Sequence, residues 1–431
     1  MAARTSFLTT ANGAYYQRDV PKENEELTHT GPGTPCGEYL RRFWQPVALS
    51  RELKDLPVAV KIMDEELVVF RDKSGQVGVL QLHCSHRGTS LEYGIVSERG
   101  IRCCYHGWLF DVDGKILETP GEPPESTLKE RLYHGAYPAR EFGGIVFAYM
   151  GPPDKKPAFP MYDWYDQPGY NLYSPGKTLY PCNWLQIIEN DMDPVHTTFL
   201  HARVSGPQQF SKSFLEIGTL DWMETPIGMI YMHSRRLGDL IFVRMNDNIL
   251  PNAAQAAPAA KAGLKEGLEL SLGPLWGVPV DDNHTMKFRI RHHREGEVPS
   301  YEVSPVISGE RTYEEKQRKP DDFEAQTGQR SIAVHDLEHL VTTDKGVIMF
   351  RRQIRNGIQA VQRGEDPVGI SRKEGKAIAT YCSNTVLRVP PAPTPEADRE
   401  LLYGTGRRLA ESYLKTPPAA VNRNRAAGNG H

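Results

Sequence analysis

The chain has 431 residues, of which 39% are hydrophobic and 24% charged, with a formal net charge of −3 at pH 7. That length suits two to three domains of roughly 100–200 residues each, with a core of ordinary size. The charge balance offers no basic footprint for nucleic acid, and no apolar run approaches the roughly 18–20 residues of a membrane span.

The N-terminus, MAARTSFLTTANGAYYQRD, lacks the apolar stretch of a secretory signal. A cytoplasmic protein without a membrane partner is expected. The six cysteines, Cys36, Cys84, Cys103, Cys104, Cys182 and Cys382, are therefore expected to be reduced thiols or metal ligands rather than disulfides.

Residues 1–30 read as a polar arm. The run GPGTPCGEYLRRFWQPVALSREL then predicts a turn, a short helix and an extended exit. From about 57 to 150 the pattern is β-like. PVAVKIMDEELVVFRD is two strands around an acidic turn, and GQVGVLQLHC and GGIVFAYMG are strands bounded by glycine. GPPDKKPAFP, residues 151–160, reads as a linker. Beyond it, NWLQIIENDMDPVHTTFLHARV has helical spacing, with Trp184, Ile187, Ile188 and Met192 on one expected buried face. Residues 213–250 and 284–305 alternate as strands. PNAAQAAPAAKAGLKEGL, residues 251–268, fits either loop or helix. RSIAVHDLEHLVTTDKGVIMFRRQIRNGIQAV predicts helix, turn and helix, and from about 389 a Pro-rich run opens a tail with a mobile end.

Two loops carry metal-type residues. QLHCSHRGTSLEYG supplies Cys84 and His86, and IRCCYHGWLF supplies Cys103, Cys104 and His106. Each ends in a glycine, Gly88 or Gly107, that permits a tight turn. Two soft thiolates and two imidazoles suit a tetrahedral zinc or a Rieske [2Fe–2S] cluster, in which two Cys hold one iron and two His the other. One Cys and one His in each loop favours the two-iron centre. Spacing alone leaves Cys103 and Cys104 equivalent, since Cys104-x-His106 mirrors Cys84-x-His86.

CSHRG…CCYHGWLFD resembles the Rieske signature, C-x-H-R-G, a spacer, then C-x2-H-G-W. The resemblance selects Cys103 over Cys104, and so implies Cys84, His86, Cys103 and His106 as the cluster ligands.

A cluster that moves single electrons needs a destination. ENDMDPVHTTFLH offers Asn190, Asp193, His196 and His201. Two histidines and a distant carboxylate are the parts of a facial triad for non-haem Fe(II). At about 100° per residue, positions i and i+5 diverge by roughly 140° on an α-helix, so a π-bulge, a break or a helix end is required between the histidines. Pro194 suits the first turn of a new helix with Asp193 as N-cap. The plain alternative is a capping aspartate and two ordinary histidines.

The set resembles the N-x2-D-x2-H-x4-H motif of Rieske non-haem iron oxygenase alpha subunits, over residues 30 to 385. That resemblance implies His196 and His201 as iron ligands, Asp193 as a carboxylate bridging to a cluster histidine across subunits, and Asn190 near the iron. KPDDFEAQTGQRSIAVHDLEHL resembles the phthalate-dioxygenase-like and O-demethylase-like branch, which implies Asp322 as the third ligand, with Asp321 beside it. An acidic helix start is the ordinary reading of that pair. HDLEH also matches an inverted zinc-protease pattern through His335 and His339, a short match.

The implied fold class is α+β. An all-β Rieske domain (31–155) follows the arm. A catalytic domain (156–388), helix-grip-like with an antiparallel sheet and helices, precedes the tail (389–431). The implied function is the oxygenase component of a multicomponent system, using O2 to hydroxylate or oxidatively dealkylate an aromatic substrate, most simply an aromatic acid. No flavin or nucleotide motif is visible, so NAD(P)H would act through a separate flavin/iron–sulfur reductase, with or without a ferredoxin. A homotrimer is implied. The competing readings are a pure electron carrier and a zinc-stabilised binding protein. Arg235, Arg236, Arg244 and Arg289 are the arginines considered for a substrate carboxylate, against their usual place at a solvated surface.

Overall fold

The computed structural model describes residues 8, 10–16, 22–204, 214–259, 265–301 and 304–428. The short helix expected after GPGT is Pro35–Leu40. Thr34 caps it by accepting from the Gly37 N–H, and proline occupies its first turn.

The N-terminal half is built of three small antiparallel sheets. Val58–Ile62 and Glu65–Arg71 form a hairpin extended by Val77–Gln81 and Ala136–Tyr137. Its turn is Met63–Asp64, both left-handed (φ 49° and 65°), as a tight two-residue hairpin loop requires. The second sheet pairs Trp44–Leu49 and Ala139–Phe142 with Ile145–Tyr149. The third, of short strands Ile95–Val96, Ile101–Arg102, Leu109–Phe110 and Ile116–Glu118, is the smallest. Its side chains form a core of their own with Val68, Phe70, Leu80 and Trp108, in which Cys84 and Cys103 are buried.

The C-terminal half is a nine-stranded sheet in which every pair is antiparallel. Its path runs Lys177–Tyr180, His284–Arg289, Pro274–Asp281, Ala253–Gln255, Leu240–Ile249, Gly228–Leu237 and Thr219–Thr225. Ser383–Arg388 also pairs with Leu240–Ile249, and carries Gly267–Leu270 on its other edge. Helix Trp184–Glu189, capped by Asn183, buries Trp184, Ile187 and Ile188 as its apolar spacing predicts. The two halves join at the Met63–Asp64 turn, whose N–H groups donate to the carbonyls of Pro279 (2.8 Å) and Val280 (2.9 Å) on the nine-stranded sheet.

Three stretches depart from the sequence reading. Residues 251–268, ambiguous between loop and helix, contribute the strand Ala253–Gln255 and the start of Gly267–Leu270, with 260–264 outside the described residues. The first helix expected in RSIAVHDLEHLVTTDK is absent. Only the 3-10 turns His335–Leu337 and Thr342–Asp344 precede helix Lys345–Gln362. There Glu338 turns inward to Arg351, which also pairs with Glu189, and that ion-pair network outweighs helical propensity. Beyond 389 the chain is not simply a tail. Pro395–Lys415 is a helix capped by Thr394 that packs on the Gly228–Leu237 strand, where Arg236 grips Asp398, and Pro418–Gly428 is helical too.

Candidate metal centres

The two N-terminal loops repeat one backbone design. In the first, the Gly88 N–H donates to the Cys84 carbonyl at 2.8 Å and the Cys84 N–H to the Thr89 carbonyl at 2.9 Å. In the second, Gly107 donates to Cys103 at 3.1 Å and Cys103 to Trp108 at 2.8 Å. Both glycines have φ +74°, a region costly for any other residue. By backbone register Cys103, not Cys104, is the counterpart of Cys84. Cys84 and Cys103 are each 3% exposed, whereas Cys104 is exposed.

Burial, resisted by the backbone N–H groups of His86 and Arg87 and reinforced by Cys103, pushes the Cys84 thiol up to about 11. Such a thiol becomes a thiolate when a cation binds it. His86 is exposed and His106 half-buried. Their ring centroids lie 4.5 Å apart, and His86 stacks on Trp108 at 4.6 Å and 5°. Buried sulfurs below and accessible imidazoles above are what an electron-exchanging two-iron centre requires. Four ligands of one zinc would converge, with bonds of about 2.0–2.3 Å. Among the described residues, His196, His201 and Asp322 are the one group of three or more such side chains whose ligand atoms lie within 4.8 Å of one another.

Those three residues come from two segments. Helix Trp184–Glu189 passes into the 3-10 turn Asn190–Met192, and the chain becomes extended at Asp193 (φ −103°, ψ 95°). Asp193 accepts from the Val195 N–H at 2.9 Å, but the helix expected to open at Pro194 begins only at Thr197, so Asp193 closes a local turn and is not its N-cap. His196 follows, and Thr197–Val204 is a π-helix, whose wider turn brings residues five apart together. The two imidazoles stand 5.2 Å apart, centroid to centroid.

Asp322 opens helix Asp322–Thr327, with Asp321 as N-cap in a capping box with Glu324. Its Oδ1 lies 3.3 Å from His201 Nε2 and 3.7 Å from His196 Nε2. Asn190 Nδ2 donates to the same oxygen at 3.2 Å, which orients the carboxylate. Burial opposes ionisation of Asp322, but the His201 hydrogen bond and the charges of both histidines hold it well below the usual carboxylate range. Burial likewise opposes protonation of His196, yet Asp193 and Asp322 raise it to about 8. The far nitrogen of His196, Nδ1, faces Asp193: it meets the Asp193 carbonyl and lies 3.6 Å from Oδ2. Two imidazoles and one carboxylate converging in this way can hold a metal ion.

Sequence reasoning passed over two neighbours. Burial pushes the Asp191 carboxyl up to about 6, against the pull of Lys287. Lys287, 5% exposed, lies with its ammonium 4.7 Å from the Tyr180 ring centroid. Lys287 shares the strand run TMKFRI with Arg289, so the sequence alone did not set it apart. The HDLEH pattern does not form a site: His335 sits in a 3-10 turn and accepts from the Asn24 N–H, and Glu338 belongs to Arg351. Of the four arginines, Arg236 pairs with Asp398, and Arg244 donates to the carbonyls of Ala257 and Pro258 at 2.7 Å each.

Comparison with known proteins follows the same division. The Rieske [2Fe-2S] domain family matches residues 43–133, and the LigXa C-terminal domain like family matches 148–216. The tert-butanol monooxygenase / tert-amyl alcohol desaturase oxygenase subunit of Aquincola tertiaricarbonis is 42% identical, covering 91% of this chain and 89% of that protein. The phenoxybenzoate dioxygenase subunit alpha of Ectopseudomonas oleovorans is 41% identical over 85% and 92%. A solved structure titled Pseudomonas putida CBB5 NdmA QL mutant with theobromine shares the fold, with a TM-score of 0.59 at 22% identity over 76% and 93%. The chain belongs to the Rieske-type oxygenases, as an oxygenase subunit carrying a [2Fe–2S] domain and using non-haem iron and O2.

Proposed function

We propose that this oxygenase subunit hydroxylates or oxidatively dealkylates an aromatic acid, with a mononuclear iron held by His196, His201 and Asp322. The observation that carries the reading is the convergence of those three ligand atoms within 4.8 Å, at a π-helix, one of the departures from a regular α-helix that the i, i+5 spacing allowed. In this reading Cys84 and Cys103 hold the inner iron of the cluster, and His86 and His106 the outer. The iron, when bound, supplies the open coordination position at which O2 is activated. Asn190 and Asp321 fix the carboxylate and its helix. Asp193 holds His196 by Nδ1, so Nε2 is the nitrogen presented to the metal.

Asp193 remains 31% exposed on its other side, and the exposed His86 crowns the cluster. The two suit a bridge between neighbouring subunits, and hence a homotrimer in a heterologous ring. Electrons come from NAD(P)H through a separate reductase, with or without a ferredoxin. Six free cysteines suit a reducing compartment, the cytoplasm. No helix of the described residues is long and apolar enough to cross a membrane.

Aromatic acids are favoured by the phenoxybenzoate relative, and the tert-butanol relative makes the reaction type the quantity to measure. The test is turnover of an aromatic and methoxy-aromatic panel with a surrogate reductase. Formaldehyde release indicates dealkylation, since a hydroxylated methoxy carbon collapses to phenol and formaldehyde, and a cis-diol indicates dioxygenation. A protein that binds two cluster irons per chain and no third overturns the proposal. Light scattering tests the trimer.

A further inference from the structure

Each imidazole of the triad has a carboxylate behind it. His196 presents Nε2 toward Asp322 and turns Nδ1 to Asp193, whose Oδ2 lies 3.6 Å away. His201 repeats the arrangement. Its Nε2 stands 3.3 Å from Asp322 Oδ1, and its Nδ1 stands 3.8 Å from Asp321 Oδ1. The two pairs differ in depth. The side chains of His196 and Asp193 are 19% and 31% exposed, those of His201 and Asp321 only 5% and 7%.

As the cap of helix Asp322–Thr327, Asp321 spends one oxygen: Oδ1 accepts from the Asp322 N–H at 2.8 Å. Its Oδ2 is buried and accepts no hydrogen bond among the described residues. Capping alone does not account for this, since Ser or Asn caps as well with no charge to bury. Nor is the acid free to swing away. Its N–H donates to Glu324 at 2.9 Å, and its carbonyl accepts from the Ala325 N–H at 3.0 Å. Glu324 is gripped in turn by Arg311, which also donates to the Lys319 carbonyl at 2.7 Å. Asp321 is thus a fixed carboxylate, shielded from water, beside a ring nitrogen. In such surroundings a charge-assisted hydrogen bond weighs more than at a surface.

We infer that Asp321 is the positioning residue of His201: its carboxylate accepts a hydrogen bond from Nδ1–H of that ring and so commits Nε2 to the metal side. At 3.8 Å the two atoms are spaced as an ion pair, and closing the gap by roughly 1 Å makes the bond. One capped helix start then governs two of the three ligands, Asp322 directly and His201 through its neighbour. The third, His196, answers to a more exposed acid on its own segment. The inference rests on the iron reading of the triad.

The test uses the full chain with its cluster and reads metal binding instead of turnover. Cobalt(II) is loaded into the mononuclear site and proton NMR is recorded. The wild type should show metal-shifted ring N–H resonances from both histidines, that of His201 the slower to exchange in deuterium oxide because its pair lies deeper. Asp321→Ser keeps a capping oxygen but does not reach the ring. It should lose the slow resonance, keep that of His196, and melt near the wild type when metal-free. Its metal affinity should fall about 10–100-fold in chelator competition. Asp321→Asn, which retains an acceptor oxygen, should recover most of that affinity. A wild type with bound cobalt but no slowly exchanging ring N–H overturns the inference, whether or not any variant folds. So does an Asp321→Ser protein with wild-type affinity and spectrum, the outcome expected of a cap and nothing more. A wild type that binds no metal at the triad brings down the iron reading and this inference together.

Discussion

In the cluster loops, Cys84 and Cys103 each lie inside a turn closed by its own glycine. His196, His201 and Asp322 meet only because an unusual helix and a distant capped helix arrive at one place. The first proposed centre is local: sequence neighbours would supply each pair of ligands, and backbone hydrogen bonds close both loops. The second is assembled by tertiary structure, and its members already lean on one another through charge. The buried acids follow the same division. Asp72 and Asp111 in the N-terminal half each accept from two or more partners in their own turns. The catalytic sheet buries Asp247 Oδ1, His233 and Arg235 with groups unpaired. One half is built for permanence, and the other keeps polar capacity in reserve.

The sharpest way to break that comparison is to remove one ligand from each centre. Cys103→Ser should abolish the visible and EPR signature of the cluster, and Cys104→Ser should leave it largely intact. Asp322→Asn should leave the cluster spectrum unchanged while iron per chain drops by about one and turnover falls to background. If Asp322→Asn bleaches the cluster, the two centres are not independently built.

Asp247 comes next. Burial pushes its carboxyl up to about 8 in the folded chain, against about 3.9 when unfolded. Its protonated form is the one that suits the fold. The stability it contributes is full below pH 4 and is lost as pH rises through about 8. Asp247→Asn should therefore stabilise the protein, by up to several kcal/mol near pH 8 and little near pH 4, at about 1.4 kcal/mol per pKa unit. Urea melts at the two pH values check this. An equal effect at both would mean that Asp247 is ionised and paired.

Asn190→Ala tests whether the tertiary centre depends on outer support. Iron affinity should fall about 10–100-fold, the usual cost of losing such a partner, as read by chelator competition with the cluster spectrum as internal control. The smallest effect belongs to the local centre. A Cβ at Gly88 meets nothing within 4 Å, so Gly88→Ala carries only the cost of φ +74°, about 1–2 kcal/mol. Thermal melts should show a modest loss with the cluster retained.

This contrast also explains what could be read from the chain. The cluster loops were legible because ligand, glycine and turn lie within a few residues of one another, and the Met63–Asp64 hairpin for the same reason. His196 and His201 were legible as a problem: their spacing forbade a regular helix, and the π-helix solves it. Asp322 needed a family pattern, because nothing local separates a ligand from a capping acid, and here Asp321 is the cap. The missing helix at 331–344 and the helix at Pro395–Lys415 were misread because Glu338 answers to Arg351, itself held by the distant Glu189, and Asp398 to Arg236, far away in sequence. Lys287 went unremarked, and Arg235 was only one of four arginines considered, because a charged residue in an alternating strand reads as outward-facing until the other face is known.

The π-helix Thr197–Val204 has one more consequence, in the currency of motion. Its wider turn is a less favourable way to spend backbone hydrogen bonds than an α-helix, so the segment belongs at the low end of local stability. Metal gripping His196 and His201 would close the loop between them like a clasp. Linkage then makes order and occupancy two faces of one equilibrium. Amide hydrogen exchange at 197–204 should slow when iron is added and quicken when it is chelated, while the amides of Gly88 and Gly107 stay as they were.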